Sequence, residues 1–218
     1  LGARAGNAAL ARLPGATRPQ ITARMNVARD YMAKSPDYQP KSRSPADIKA
    51  ARARVSDQMS GTDFNAYLRS DGIPDELASR RAQKRLNDRA KERYQKHVKA
   101  LVQVGTITSD DVGTVLGYPA ELVPLQNPYA LKIGATLDIR VLVDGKPAAN
   151  QFVQYGGLSA SNGRVAQRNV RSDAAGQVHI PLNRAGTYYV KFIAMTRLSN
   201  DAEANHSSKW GSLTFAVK

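Results

Sequence analysis

The chain contains no cysteine, and it has no long hydrophobic run. The lack of cysteine excludes disulfides and thiolate metal sites, although it does not distinguish between compartments. A membrane-spanning helix needs roughly 18 consecutive apolar residues, and no stretch approaches that length, so no segment is expected to cross a bilayer as a helix. Hydrophobic residues still make up 42% of the 218 residues, which is enough to close a core in one large domain or two small ones.

Acidic residues are scarce, since 18 Asp and Glu stand against 32 Lys and Arg, for a net charge of +14. A field of this sign attracts acidic protein surfaces, anionic lipid headgroups or nucleic acid. The first acidic residue is Asp30, and the chain begins at Leu1, as a processed or truncated product would. An Arg-rich start of this kind also resembles an organelle transit peptide. The arginines before Asp30 are candidates for partner binding: Arg4, Arg12, Arg18, Arg24 and Arg29.

Motifs for catalysis are also lacking. The only histidines are His97, His179 and His206, and no two of them stand at the spacing of a zincin pair. No serine occupies a nucleophile elbow, and no glycine loop of the phosphate-binding type precedes a helix. We therefore do not expect an enzyme.

Helical patterns fill the chain up to about residue 105. Thr17 can cap a first helix, and a proline-punctuated crossing from Pro36 to Pro45 follows it. Ser44 then opens a second helix, which is predicted to end at Gly61. The predicted buried face of this second helix consists of Ile48, Ala51, Val55 and Met59.

A short helix with Phe64, Tyr67 and Leu68 facing inward is predicted next, ending at Gly72. Pro74 opens the longest predicted helix, because proline fits the first turn and two acids follow it. Its apolar row would be Ala78, Ala82, Leu86, Ala90, Tyr94, Val98 and Leu101. The basic residues on its other faces predict a solvated surface or one that docks on an anionic membrane or protein. Nucleic acid is disfavoured, because stacking aromatics and polar readers are missing.

Alternating patterns replace helical ones after Gly105. Asp144-Gly145 is a hairpin turn signal between two of the segments. Short strands without long helices between them favour an antiparallel β-sandwich. The predicted strands are Glu121–Leu125, Thr136–Val143, Phe152–Tyr155, Arg164–Val170, Val178–Leu182, Tyr188–Ala194 and Ser212–Val217.

The loop before the last strand contains a candidate metal site. Asp201, Glu203 and His206 lie close together in sequence, and His179 on a strand could be a fourth ligand. Carboxylate and imidazole suit divalent nickel, cobalt or zinc. The alternative is that these polar groups anchor the loop without an ion.

Three further features are predicted to be structural. Trp210, the only tryptophan, is expected to plug a core beside the final strand. Tyr188 follows a Gly-containing turn and is expected to form a tyrosine corner. Gly156-Gly157 is expected to form a β-bulge, since a strand precedes it and no helix follows.

Several segments between Phe64 and Lys218 form a joint pattern. They are Phe64–Leu68 with Asp71-Gly72, Glu92–Leu101, Asn127–Tyr129, Leu142–Pro147, Ser172–Gly176, Ala185–Tyr188 and His206–Phe215. The pattern resembles a bacterial family of unknown function whose members are often described as periplasmic components of cobalt or nickel transport. The resemblance implies export, metal handling and a sandwich of the transthyretin-like or carboxypeptidase-regulatory-like type. Members of that family generally begin with a His-Asp-x-Trp stretch and an N-terminal β region, which this chain replaces with basic helices.

The sequence as a whole predicts an α+β protein. We expect an N-terminal basic arm with one helix over 1–44, a helical region over 45–105, and an Ig-like or transthyretin-like antiparallel β-sandwich over 106–218. The expected function is that of a non-enzymatic, periplasmic or otherwise exported subunit that docks on a membrane-associated complex of transport, electron transfer or photosynthesis. The alternative is a periplasmic protein that binds nickel or cobalt for metal uptake.

Overall fold

Strands dominate the computed structural model, which describes residues 54–103, 110–161 and 163–218. Its two α-helices are α1 (Gly61–Ser70) and α2 (Pro74–Ala82), and short 3₁₀ turns lie at Asp110–Gly113 and Pro128–Ala130. The strands in these residues are β1 (Arg54–Val55), β2 (Glu92–Ala100), β3 (Ala120–Pro124), β4 (Thr136–Val143), β5 (Lys146–Pro147), β6 (Phe152–Ser159), β7 (Arg164–Arg171), β8 (Gln177–Pro181), β9 (Gly186–Arg197) and β10 (His206–Val217).

The strands form two sheets. The larger sheet has the order β1-β2-β10-β9-β6-β7, and within it only β2 and β10 run parallel. In the smaller sheet, β4 pairs with β3 along one edge and with β8 and β5 along the other. The protein is thus of the α+β class, and its sheets pack as a β-sandwich.

Alternating side chains from the two sheets make the main core. On β4 the inward residues Leu137, Ile139 and Val141 are fully buried. From the larger sheet, Leu213 and Phe215 on β10 pack into the same cluster. A period of two along both strands places one apolar face inside each sheet, as a sandwich requires.

Helices α1 and α2 form a helical hairpin, which covers one end of the larger sheet on its outer face. Phe64 and Leu68 of α1 are fully buried and form a second cluster with Ile193 of β9. Ser60 caps α1 by accepting the backbone N–H of Asp63. Proline at the start of α2 and acids in its first turn agree with the predicted helix start.

The predicted long helix is wrong beyond Ala82. Glu92–Ala100 forms β2 and pairs with β10 along nine residues. Tyr94 and Val98 of the predicted apolar row stand four residues apart. A spacing of four places two residues on one face of a helix, and because four is even it also places them on one face of a strand. Pairing with β10 decides between the two structures, and the basic helical surface does not form.

The second predicted helix is also wrong over its described part. Arg54–Val55 is strand β1, and Gly61 begins α1 instead of ending a helix. Its hydrogen-bonded cap at Ser60 explains the change, because a Gly next to a good N-cap residue can open a helix as well as close one. The first predicted helix and the proline crossing lie outside the described residues.

The sandwich predictions are confirmed in their main features. All seven predicted strands occur, with Thr136–Val143 matched at both ends. Asp144 and Gly145 have φ values of 50° and 77°, as a two-residue hairpin turn between β4 and β5 needs. The register of β6 against β7 shifts between Tyr155 and Gly157, which is the predicted bulge. Tyr188 forms its corner, since its hydroxyl donates to the Arg184 carbonyl at 2.9 Å.

Candidate interaction surface

The two carboxylates of the predicted metal loop are engaged by an arginine. Arg93 of β2 donates to both oxygens of Asp201 at 3.0–3.1 Å and to Glu203 at 2.9 Å. The backbone N–H of Glu203 donates to Asp201 and, together with Arg93, lowers the pKa of the Asp201 carboxyl. The hydrogen bonds that Arg93 donates to Glu203 and then to Asp201 raise the pKa of Arg93. The loop is therefore anchored to β2 by charge.

His206 lies in the interior beneath the helical hairpin, where only 1% of it is exposed. Its Nε2 is 3.2 Å from Glu76 Oε1 on α2, and its Nδ1 is 2.7 Å from Asn205 Oδ1. Burial alone would raise the pKa of the Glu76 carboxyl, but the hydrogen bond from His206, with the charges of His206, Arg85 and Arg80, lowers it. His206 thus ties β10 to α2.

His179 belongs to the smaller sheet. It stands opposite Asp138 in the β4–β8 pair, and its Nδ1 is 2.6 Å from Asp138 Oδ1. That hydrogen bond, followed by one from Gln126, lowers the pKa of the Asp138 carboxyl. His179 is a surface residue of a different sheet from His206.

The predicted ligands therefore do not come together as one site. Asp201 and Glu203 pair with Arg93, His206 pairs with Glu76, and His179 pairs with Asp138. The described residues contain no group of three or more His, Cys, Asp or Glu side chains that could hold a metal ion. The five N-terminal arginines proposed to bind a partner lie outside the described residues.

A buried polar cluster joins α1 to β2 and β10. Glu92 is 4% exposed, and its carboxylate accepts hydrogen bonds from the hydroxyls of Tyr67 and Ser208. Burial, followed by the charge of Glu92, raises the pKa of Tyr67 above its ordinary value. Trp210 Nε1 donates to Ser208 Oγ, and its ring stacks on Tyr67. Trp210 is only half-buried, and it lies at the rim of the second cluster instead of inside it.

Arg80 of α2 lies at the centre of the helical hairpin and is fully buried. Its Nε donates to Asn65 Oδ1 at 2.9 Å, its Nη2 donates to the Asp88 carbonyl at 2.7 Å, and its guanidinium lies over the Phe64 ring. Burial lowers the pKa of Arg80, followed by repulsion from Arg85. The sequence predicts Arg80 on the solvated face of the long helix, because nothing in a run of arginines distinguishes the buried one.

A buried ion pair between the sheets was also missed by the sequence interpretation. Lys99 of β2 donates to Glu121 of β3 at 2.6 Å, with 8% and 2% of the two residues exposed. Glu121 also accepts the backbone N–H groups of Leu116 and Tyr118. On a helix Lys99 would have faced solvent, whereas on a strand it points into the sandwich.

Beyond the helical hairpin, the outer face of the larger sheet is open. Pairing places Val98, Ser212 and Lys191 side by side on this face, and Thr214, Tyr189 and Gly156 in the next row. The row after that contains Thr187 and Leu158, with Arg164 at the edge. We call these residues the open face, together with Ala100, Gln167, Asn169 and Ala216, which share its orientation.

The open face carries apolar side chains in solvent. Val98 is 50% exposed and Leu158 is 55% exposed. A groove of about 710 Å³ runs beside Leu158 and is bordered by Thr187, Tyr189 and Thr214. Burial raises the pKa of Tyr189, whose hydroxyl donates to Gln167 Oε1 at 2.9 Å. Glycine at 156 leaves room for the Tyr189 side chain, since a Cβ there would lie 3.0 Å from the Tyr189 hydroxyl.

The open face has cations but no carboxylate. Lys191 and Arg164 belong to it, and Lys96 borders it with its Nζ 4.1 Å from the Trp210 ring centre. None of the residues that define the open face is Asp or Glu. Its chemistry is therefore apolar and basic, which matches a negatively charged partner.

These features define the protein as a β-sandwich with a helical hairpin on one outer face and an acid-free sheet surface beside it. Within the described residues, no helix is long and apolar enough to cross a membrane.

The chain belongs to the family described as Domain of unknown function (DUF4198), which it matches over residues 11–196. No curated protein matches the chain. Membership agrees with the resemblance to a family of unknown function, while the link to nickel or cobalt transport stays a prediction.

Proposed function

We propose that this protein is a non-enzymatic, extracytoplasmic interaction subunit that docks through its open face on an acidic surface of a membrane-associated protein complex. The observation that carries the proposal is the open face itself. Val98 and Leu158 are exposed there beside cationic side chains, and the face contains no acidic residue. An exposed apolar groove rimmed by polar and basic residues, such as the one beside Leu158, is typical of an interaction site.

The charge of the whole chain supports the choice of an acidic partner. The net charge is +14, so long-range attraction would bring the protein to a negative surface before contact. Contact would then bury Val98 and Leu158, since apolar area is what holds a complex after charge has oriented it. We favour a protein partner over a lipid bilayer, because a protein surface can be complementary in shape to a twisted sheet with a groove and a bilayer cannot.

The finer features of the fold belong to the same proposal. We infer a transthyretin-like or Ig-like sandwich, preceded by a basic N-terminal arm that adds to the contact with the partner. The tyrosine corner at Tyr188 supports the sandwich type, because such corners recur at the turns of Ig-like domains. Export to the periplasm and peripheral attachment to the membrane complete the proposal.

Binding to washed native membranes tests the docking. We expect saturable binding that weakens as salt rises to about 0.5 M and disappears after the membranes are treated with protease. The variant L158D/K191E should lose at least about tenfold in affinity, because it places two acids on the open face.

A matched control separates the open face from general charge. Ile133 is 52% exposed beside Lys132 in the loop before β4, so I133D/K132E makes the same change in charge and hydrophobicity elsewhere. This control should bind like the native protein. Equal losses in both variants, or undiminished binding to protein-free anionic vesicles, would overturn the proposal.

A further inference from the structure

Three arginines line a cavity of about 260 Å³ at the edge of the sandwich. Arg164 and Arg168 come from β7, and Arg184 comes from the corner that leads into β9. Pro181 and Asn183 complete the rim on the side of the smaller sheet. The cavity thus lies where the two sheets meet, next to the open face.

The charge of these arginines is not balanced by protein groups. Among the described residues, none of the three guanidinium groups forms a salt bridge or a hydrogen bond. No Asp or Glu lines the cavity. Arg93 and Arg171, by contrast, form salt bridges with Asp201 and Asp75. The cavity therefore offers concentrated positive charge without a counter-charge.

A tyrosine hydroxyl at the same cavity is also unpartnered among the described residues. Tyr155 is 8% exposed, stands opposite Arg168 in the β6–β7 pair and lines the cavity. Its hydroxyl has no hydrogen-bond partner among the described residues and reaches solvent, so it is available to donate to a ligand. Neighbouring Tyr188 shows the contrast, since its hydroxyl accepts from the Arg184 N–H at 3.1 Å and donates to the Arg184 carbonyl.

We infer that this cavity binds a small molecule that carries a phosphate group. Arginine forks bind phosphate oxygens through paired hydrogen bonds, and the Tyr155 hydroxyl supplies a further donor. Donors from β6, β7 and the corner come from separate elements, which suits a tetrahedral anion better than a planar carboxylate. Ligand pockets commonly measure about 300–1,000 Å³, so this cavity suits a ligand at or below the small end of that range. The inference goes beyond the proposed docking. Arg164 belongs to both surfaces, but Arg168 and Arg184 do not belong to the open face, so variants of these two arginines test the cavity alone.

Titration of the full chain with inorganic phosphate tests the site. At constant ionic strength, arginine Nε–H signals followed by NMR should shift to saturation with a Kd below about 1 mM. The variant R168Q/R184Q should bind phosphate at least about tenfold more weakly. The control R81Q/R197Q removes two exposed arginines outside the cavity, and it should bind like the native protein.

Y155F keeps the buried ring and removes only the unpartnered hydroxyl. We expect its affinity for phosphate to fall about threefold to tenfold without a change in the midpoint of urea unfolding. At a pH where both are dianions, succinate should bind more weakly than phosphate. Equal losses in both arginine variants, equal binding of succinate, or no saturation by about 10 mM phosphate would overturn the inference.

Discussion

Arg93 neutralises the acids of the loop that joins β9 to β10. Its guanidinium donates to Asp201 through two nitrogens and to Glu203 through one. A carboxylate held by arginine and by backbone N–H groups is a poor metal ligand, because an ion would have to displace those bonds. The sequence placed both acids beside His206, and it could not indicate that β2 would deliver an arginine between them.

The first prediction concerns metal binding. Calorimetry with nickel, cobalt and zinc should detect no micromolar binding that depends on His206, since His206 is buried against Glu76. H206A would then leave the titrations unchanged. Micromolar binding that H206A abolishes would contradict this expectation and favour a role in metal uptake.

The second prediction concerns the pH dependence of stability at Glu76. Its folded pKa is lowered from the ordinary value of 4.5, so its contribution is present above that value and is lost as the pH falls through the folded pKa. E76Q should therefore reduce the free energy of unfolding by about 1–2 kcal/mol at pH 7 and by much less near pH 3. Urea unfolding at both pH values measures the difference. A loss of the same size at both pH values would contradict the assignment.

At the scale of elements, strand β2 decides the architecture. Its parallel pairing with β10 brings Lys99 between the sheets and Glu92 beneath α1. Most of the sandwich was predictable because its strands alternate and its turns carry Asp-Gly or Gly signals. Strand β2 was not predictable, because its charged residues are equally compatible with the surface of a helix. Only pairing with a strand that is distant in sequence selects the extended form.

The third prediction tests the ion pair that β2 buries. K99M leaves the Glu121 carboxylate without its cation and should reduce the free energy of unfolding by about 3–5 kcal/mol. K99M/E121Q should recover part of this loss, because it removes the unpaired buried charge and the glutamine oxygen can still accept one of the two backbone N–H groups that Glu121 holds. No recovery in the double variant would indicate that lost packing, not the unpaired charge, causes the loss.

The fourth prediction tests the contact between α1 and the larger sheet. Phe64 is fully buried against Ile193 and Leu68, so F64A should cost about 3–5 kcal/mol. L125A, at a residue that is 38% exposed just after β3, should cost well under half of that. Urea unfolding of both variants gives the comparison. Similar costs would mean that the hairpin does not rest on this cluster.

At the scale of the whole molecule, the helical hairpin covers only part of the larger sheet. The remaining part of the sheet is positively charged and contains no acidic residue. It also exposes the side chains of Val98 and Leu158. Alternation indicates which residues share a face, but it does not indicate which face the hairpin covers. The open face could therefore not be predicted from the sequence, which instead directed attention to the N-terminal arginines.

Site-specific photo-crosslinking in native membranes tests the docking most directly. A photoreactive phenylalanine at Val98 lies on the open face, and the same residue at Ile133, which is 52% exposed, lies away from it. We expect the probe at 98 to form a discrete protein adduct that about 0.5 M salt suppresses, and the probe at 133 to form none. Identical adducts from both positions, or adducts with lipid alone, would contradict docking through the open face.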